Sequence, residues 1–187
     1  MDRSDEVLIE EYLSEDDDDA FRELVGRYTD SIYNFSVRFV GKEEATDVVQ
    51  VVFIKVWKSI RKFDKLKSSF KTWIFHIARN TVIDSMRKKK MVNFSSLDTA
   101  DENFEDTIKD ESSLPSEIMS RLEDEKLLNE LIDGLPNDYK EVLILHYQED
   151  MTFAEIGELL DKPLNTVKSH HYRALTSLKE KLLHQNY

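Results

Sequence analysis

The chain has 187 residues, with 26 Lys and Arg against 38 Asp and Glu, a formal net charge of -12 and no cysteine. Disulfides, thiolate catalysis, Cys-ligated zinc and iron-sulfur clusters are therefore excluded together. No apolar run approaches the ~18 residues of a membrane-spanning helix, and the chain starts acidic rather than basic and then apolar, so a cytoplasmic protein is expected.

Four Gly and three Pro in a chain that is 40% hydrophobic and 34% charged predict an all-α fold. Residues 1–20 carry a net charge of -9, and the run Glu15 to Asp19 reads as a solvated lead-in to a helix. Phe21, Leu24, Val25 and Tyr28, continued by Ile32, Phe35 and Phe39, predict a helix over 18–40 with a break near Asp30 and an end at Gly41. Ala45, Val48, Val49, Val52, Phe53, Val56 and Ile60 form the stripe of a second helix. Its opposite face carries Glu44, Asp47, Gln50, Val51, Lys55 and Lys58, among which Val51 is out of place. The stretch Phe63 to Ser69 lacks periodicity and reads as a loop. Phe70, Trp73, Ile74, Ile77 and Thr81 then start a helix that runs into Arg87-Lys88-Lys89-Lys90, within a segment 61–91 of net charge +8. Three such helices suffice for a small bundle.

From Val92 to about Pro115 the chain is polar and acidic, which leaves too little apolar surface to offset the entropy of ordering, so a linker is expected. Ile118, Leu122, Leu128, Leu131, Ile132 and Leu135 restore the helical period, and Gly134-Leu135-Pro136 marks a stop and a new start. Thr152-Phe153-Ala154-Glu155 is a capping box, and Ile156, Leu159 and Leu160 supply the core face behind it. Asp161 to Leu164 breaks this helix, Asn165 or Thr166 is expected to cap the next, and Val167, Ala174, Leu175, Leu178 and Leu182 form its buried side. Two helices on so short a turn make a helix-turn-helix. Ser169, Tyr172, Arg173 and Thr176 share the outer face of the second helix beside Lys168, within a segment 162–187 of net charge +4. A helix fits the major groove, where Arg and Ser pair with base edges. A plain helical hairpin with a polar exterior shows the same period, but the short turn, the caps and the local charge together favour DNA.

The central run from Phe70 to Asn80 interleaves aromatics with cations, the combination that holds single strands by stacking and by backbone contact. Periodicity assigns Phe70 and Trp73 to the core and leaves Phe75 and His76 as stacking candidates. His170 and His171 read as surface residues, because adjacent helical positions diverge by about 100 degrees and cannot share a metal. No phosphate-binding glycine loop, nucleophile elbow or paired-His motif is present, so neither an enzyme nor a cofactor is expected.

Several of these stretches, in order, resemble bacterial sigma factors of the extracytoplasmic-function group: Asp47 to Trp57, Phe70 to Asn80 with Asp84 and Arg87, Leu135-Pro136, Thr152 to Ile156, and Thr166 to His170. The resemblance implies a promoter-specificity subunit that binds core RNA polymerase and promoter DNA and is restrained by an anti-sigma factor. It implies a polymerase- and minus-ten-binding bundle over 1–91, an acidic linker over 92–117 and a minus-thirty-five helix-turn-helix domain over 118–187. Glu44, Asp47, Gln50, Val51 and Ile54 would then dock on polymerase, with Val51 standing where an acid is usual. Lys67, Ser68, Ser69, Phe70, Lys71, His76, Arg79 and Asn80 would surround a base flipped from the minus-ten element. Thr152, Thr166, Lys168, Ser169, Tyr172 and Arg173 would meet the minus-thirty-five element, with His170 replacing a frequent Arg and Leu175 a frequent base. The linker has two readings, a solvated tether or an anionic strand in the RNA path of polymerase; composition needs only the tether, and the resemblance favours the channel. A self-sufficient repressor or activator that uses the same helix-turn-helix is the rival class.

Overall fold

The structure is a computed structural model that describes residues 3–15, 17–92 and 125–184. These form eight α-helices, with one 3-10 turn and no strand among the described residues. The helices are α1 (Asp5–Glu15), α2 (Asp18–Val40), α3 (Lys42–Ser59), α4 (Phe70–Val92), α5 (Glu125–Asp133), α6 (Asn137–Tyr147), α7 (Phe153–Leu160) and α8 (Leu164–His184). The 3-10 turn Ile60–Lys62 follows α3. Two compact units emerge, Met1–Phe94 and Ser95–Tyr187.

In the first unit α2, α3 and α4 pack on one another and α1 lies along α2. The acidic lead-in caps α2: the Asp17 carboxylate accepts from the backbone N–H of Asp19 at 2.9 Å and of Ala20 at 3.4 Å. The helix then runs unbroken through Asp30 to Val40, so the break expected there is absent. Ile32, Phe35 and Ser36 on the far side of Asp30 are all buried, and tertiary packing carries the helix across an exposed aspartate. Gly41 ends α2 at φ 84, donating to the Val37 carbonyl at 3.0 Å while its own carbonyl accepts from Ala45 at the start of α3. Only glycine takes that backbone at little cost.

The core rests on three fully buried phenylalanines, Phe35, Phe70 and Phe75. Phe35 meets Phe75 edge-on at 5.7 Å, and Phe70 meets Tyr28 and Phe63 edge-on at 5.5 Å each. Such geometry adds about 0.5–1.5 kcal/mol per pair beyond area burial. Phe75 is thus no stacking platform. It follows Ile74 directly because α4 touches both α2 and α3, which widens its apolar face beyond a single stripe.

α1 forms within the first fifteen residues, a stretch for which the sequence reading gave only its acidic charge. It buries Leu8 and Ile9 against the bundle, and ion pairs tie its polar side down: Arg3 to Glu11 at 2.7 Å, Arg3 to Glu23, and Arg27 to Asp5. The Tyr28 hydroxyl donates to Asp5, and burial together with that bond holds the phenol well above its ordinary titration range.

In the second unit Leu131, Ile132, Leu135, Leu143, Ala174, Leu178 and Leu182 form one cluster, with Tyr139 and Leu175 packed against it. α5 ends at Asp133 and α6 begins at Asn137, on either side of the Gly134-Leu135-Pro136 punctuation. Val92 still belongs to α4. The rest of the acidic stretch read as a linker, with Ile118 and Leu122, lies outside the described residues.

Candidate functional site

Three exposed regions carry the residues singled out above. On α3, Asp47, Gln50, Val51 and Ile54 are exposed, Val51 at 41% and Ile54 at 51%. Trp57, three residues beyond Ile54, is 57% exposed and extends them into an apolar strip. The sequence reading passed over Trp57; its spacing of three from Ile54 and six from Val51 was the available clue. Glu44 lies two turns before Val51 on the same side of the helix, in the groove that α3 forms with α4. Its carboxylate accepts from Lys89 at 2.7 Å and from Ser85 at 3.2 Å, so it is occupied by α4. The hydrogen bond from Lys89 holds the Glu44 carboxyl below its usual range, with Ser85 and the lysine charge adding to it. Lys55 likewise turns to α4, donating to the Thr81 hydroxyl at 2.9 Å.

The second region is the loop between the 3-10 turn and α4. The Asp64 carboxylate accepts the Leu66 N–H at 3.0 Å, and the Asp64 carbonyl accepts the Lys67 N–H at 3.0 Å. Ser69 caps α4, its hydroxyl accepting the Thr72 N–H at 3.1 Å and meeting the Thr72 hydroxyl at 2.9 Å. Lys67 and Ser69 are exposed and Ser68 is half-buried. Along α4, His76 and Asn80 are exposed and linked at 3.3 Å, and Lys71 and Arg79 are half-buried. Phe70 is a correction: at 1% exposure, with rings of Tyr28, Phe63 and Trp73 around it, it holds the loop from behind and cannot meet DNA. Leu66, at the loop tip, was also passed over and is 91% exposed.

The third region is α8 with the turn before it. The capping box at α7 is formed as read: Glu155 N–H donates to the Thr152 hydroxyl at 3.3 Å, and the Glu155 carboxylate accepts from Thr152 N–H at 2.8 Å. The turn leaves α7 through Asp161 in the left-handed region at φ 54. α8 starts at Leu164, with the Pro163 carbonyl accepting from Val167 at 3.1 Å, so Asn165 and Thr166 lie inside its first turn rather than capping it. Lys168, Tyr172 and Thr176 are exposed, and Ser169, Arg173 and Thr166 are half-buried.

His171 overturns the surface reading of the histidine pair. It is 2% exposed, its Nε2 lies 3.0 Å from the Tyr147 hydroxyl, and its ring contacts His146 and Phe153. Burial, with the nearby His146 adding to it, lowers the His171 imidazole to about 4. His170 is half-buried against Tyr139, its Nδ1 enclosed without a hydrogen-bond partner among the described residues, and burial again lowers its pKa.

An exposed helix on a tight capped turn, and a separate bundle with a basic loop, are what a two-patch DNA reader needs. Residues 24–91 match the sigma-70 region 2 family and residues 125–178 the sigma-70 region 4 family. The ECF RNA polymerase sigma factor SigW of Bacillus subtilis is 34% identical over 170 residues, spanning 89% of this chain and 90% of that protein. The chain belongs to the ECF sigma factors. The ECF RNA polymerase sigma-E factor of Haemophilus influenzae is 31% identical to this sigma factor over 183 residues, 96% of this chain and 95% of the relative. Its fold is shared by RpoE of Bartonella quintana, solved in complex with the anti-sigma factor NepR, at a TM-score of 0.66 and 23% identity over 87% of this chain and 96% of that one. In this sigma factor region 2 takes in α2 from Leu24, α3 and α4 up to Met91, and the helix-turn-helix of α7 and α8 falls within region 4 up to Leu178. Among the described residues no helix is long and apolar enough to cross a membrane.

Proposed function

We propose that the three regions divide the work of a promoter-specificity subunit. The α3 strip of Asp47, Gln50, Val51, Ile54 and Trp57 docks on core RNA polymerase. The loop to Ser69, with Lys71, His76, Arg79 and Asn80, receives an unpaired base of the minus-ten element. Lys168, Ser169, Tyr172 and Arg173, framed by Thr152 and Thr166, read the minus-thirty-five duplex. The observation that carries the reading is the exposed apolar strip on α3, because three large apolar side chains in water on one helix face need a partner. Polymerase supplies the catalysis; this chain contributes binding, so it is not itself an enzyme.

The physical logic is linkage. Polymerase attracts DNA through phosphates without regard to sequence, and a subunit that reads two separated patches converts that attraction into position. Reading intact duplex sets the register, and capture of an unpaired base favours the opened strand. The domains act on 1–91 and 118–187 with the acidic stretch 92–117 between them, in the cytoplasm where polymerase works. An anti-sigma protein is the expected regulator: RpoE of Bartonella quintana was solved with one, and the apolar α3 strip offers such a protein a surface shared with polymerase.

Abortive transcription with core polymerase, with and without the purified chain, tests this. Specific initiation is expected only when both are present. Tight operator binding in a gel shift by the chain alone would instead select a self-sufficient repressor or activator.

A further inference from the structure

None of the contacts assigned above uses Asn165, the second residue of the recognition helix α8. An asparagine at the start of a helix ordinarily caps it, its side-chain oxygen accepting a backbone N–H. Here Pro163 holds the cap position, its carbonyl accepting from Val167 at 3.1 Å, and Asn165 lies inside the first turn. Its side chain is exposed and makes no hydrogen bond among the described residues. Helical geometry sets its direction. At about 100 degrees per residue, Asn165 stands roughly 20 degrees from Tyr172 and Thr176 and roughly 40 degrees from Ser169. The buried side of α8, formed by Val167, His171, Ala174 and Leu178, lies across the helix from it. Asn165 therefore begins the stripe that Ser169, Tyr172 and Thr176 continue.

The chemistry of the side chain selects the partner. Lysine and arginine hold phosphates by charge, which a neutral amide lacks. An amide instead presents an acceptor and a donor side by side, and in the major groove that pair matches the N6 amino group and N7 of adenine. Recognition helices meet base edges through their N-terminal residues, and a side chain not engaged in capping is available at that end. Arg173 lies eight residues further along α8, about 12 Å up the axis, whereas successive base pairs are about 3.4 Å apart. The two side chains therefore face different base pairs. We propose that Asn165 reads an adenine of the minus-thirty-five element, its carbonyl accepting from N6 and its amide donating to N7, at a base pair apart from the one that Arg173 reads. It is a specificity-determining residue at the leading end of the helix. This inference rests on the reading of α8 given above.

The test uses polymerase holoenzyme carrying wild type, Asn165→Ala, Asn165→Asp or Arg173→Ala, on a promoter that supports initiation in the transcription assay. Adenines of the minus-thirty-five element, on either strand, are replaced one at a time by 7-deazaadenine, which keeps Watson–Crick pairing and removes only the N7 acceptor. Promoter affinity is read by competition between templates. Wild type is expected to lose about tenfold at one adenine, and Asn165→Ala less than about twofold at the same site. Arg173→Ala should keep the wild-type sensitivity there. Asn165→Asp accepts but cannot donate, so its preference at that position should move from adenine towards cytosine, whose N4 amino group donates to a carboxylate. Ratios between templates cancel changes in overall affinity, and alanine at an exposed helical position favours the helix. Wild-type indifference to the deaza base at every adenine, or equal losses in wild type and Asn165→Ala, would overturn the assignment. So would a uniform fall for Asn165→Ala on all templates with the deaza sensitivity retained, the mark of a phosphate contact. Were wild type indifferent to every base substitution across the minus-thirty-five element, the reading of α8 itself would fall, and Asn165 with it.

Discussion

His171 sits directly beneath the recognition face, on the same helix as Tyr172 and Arg173 but turned inward to Tyr147, His146 and Phe153. Its pKa falls from an ordinary 6.5 to about 4 in the fold, so between these values the unfolded chain binds more protons than the native one. The stability due to the neutral ring is present above pH 6.5 and is lost as pH falls towards 4. For a side chain this buried, the shift corresponds to about 3 kcal/mol across that window. Urea unfolding at pH 7.5 and 4.5 should therefore show a steeper loss for wild type than for His171→Gln, which keeps a partner for the Tyr147 hydroxyl without titrating. Equal losses would refute the assignment. Carboxylates held low in the fold, Glu44 among them, push the same way, which is why the difference between the two proteins carries the test.

At the scale of the helix, two positions separate packing from docking. Gly157 lies buried in α7, and a Cβ placed there would come within 2.9 Å of the Lys162 carbonyl, a backbone atom that the turn to α8 holds fixed. The Gly157 carbonyl in turn accepts the Lys162 N–H at 2.9 Å. Gly157→Ala should thus destabilise the second unit by about 1–2 kcal/mol, the clash outweighing the roughly 1 kcal/mol that alanine gains in a helix. A raised unfolding midpoint would contradict this. Trp57→Ala is the converse case. The indole is more than half in water, so folding should change little, whereas affinity for core polymerase should fall by about 2 kcal/mol or more if Trp57 anchors the α3 strip. Titration of labelled chain against core polymerase measures it, and an unchanged dissociation constant would remove Trp57 from the docking face.

Across the whole molecule the proposed division of labour predicts that damage to one patch leaves the other intact. Arg173→Ala should weaken discrimination at one base pair of the minus-thirty-five element by about 1–3 kcal/mol while core polymerase affinity stays the same. Initiation assays on promoters substituted one position at a time would read the first quantity and polymerase titration the second; coupled losses in both would break the division. The net charge of -12 fits this scheme, since a chain so acidic gains little from phosphates by itself and depends on its partner for DNA affinity.

Much of this was legible along the chain because it is local. The stripes on α2 and α3 follow the 3.6-residue period, Gly41 and Gly134-Leu135-Pro136 punctuate, and the Thr152 to Glu155 box caps within four residues. The resemblance that named the family drew on the same short motifs. What stayed hidden depends on neighbours distant in sequence. Phe75 is buried because α4 faces two helices, which the periodicity of a single segment does not reveal, whereas the burial of Phe70 follows that periodicity and contradicts only the role the resemblance implied. α1 is held by arginines up to 22 residues away, and His171 is enclosed by α6. The exposure of Trp57 and Leu66 is a matter of what fails to cover them, and solvent contact is set by the packed whole rather than by any single segment.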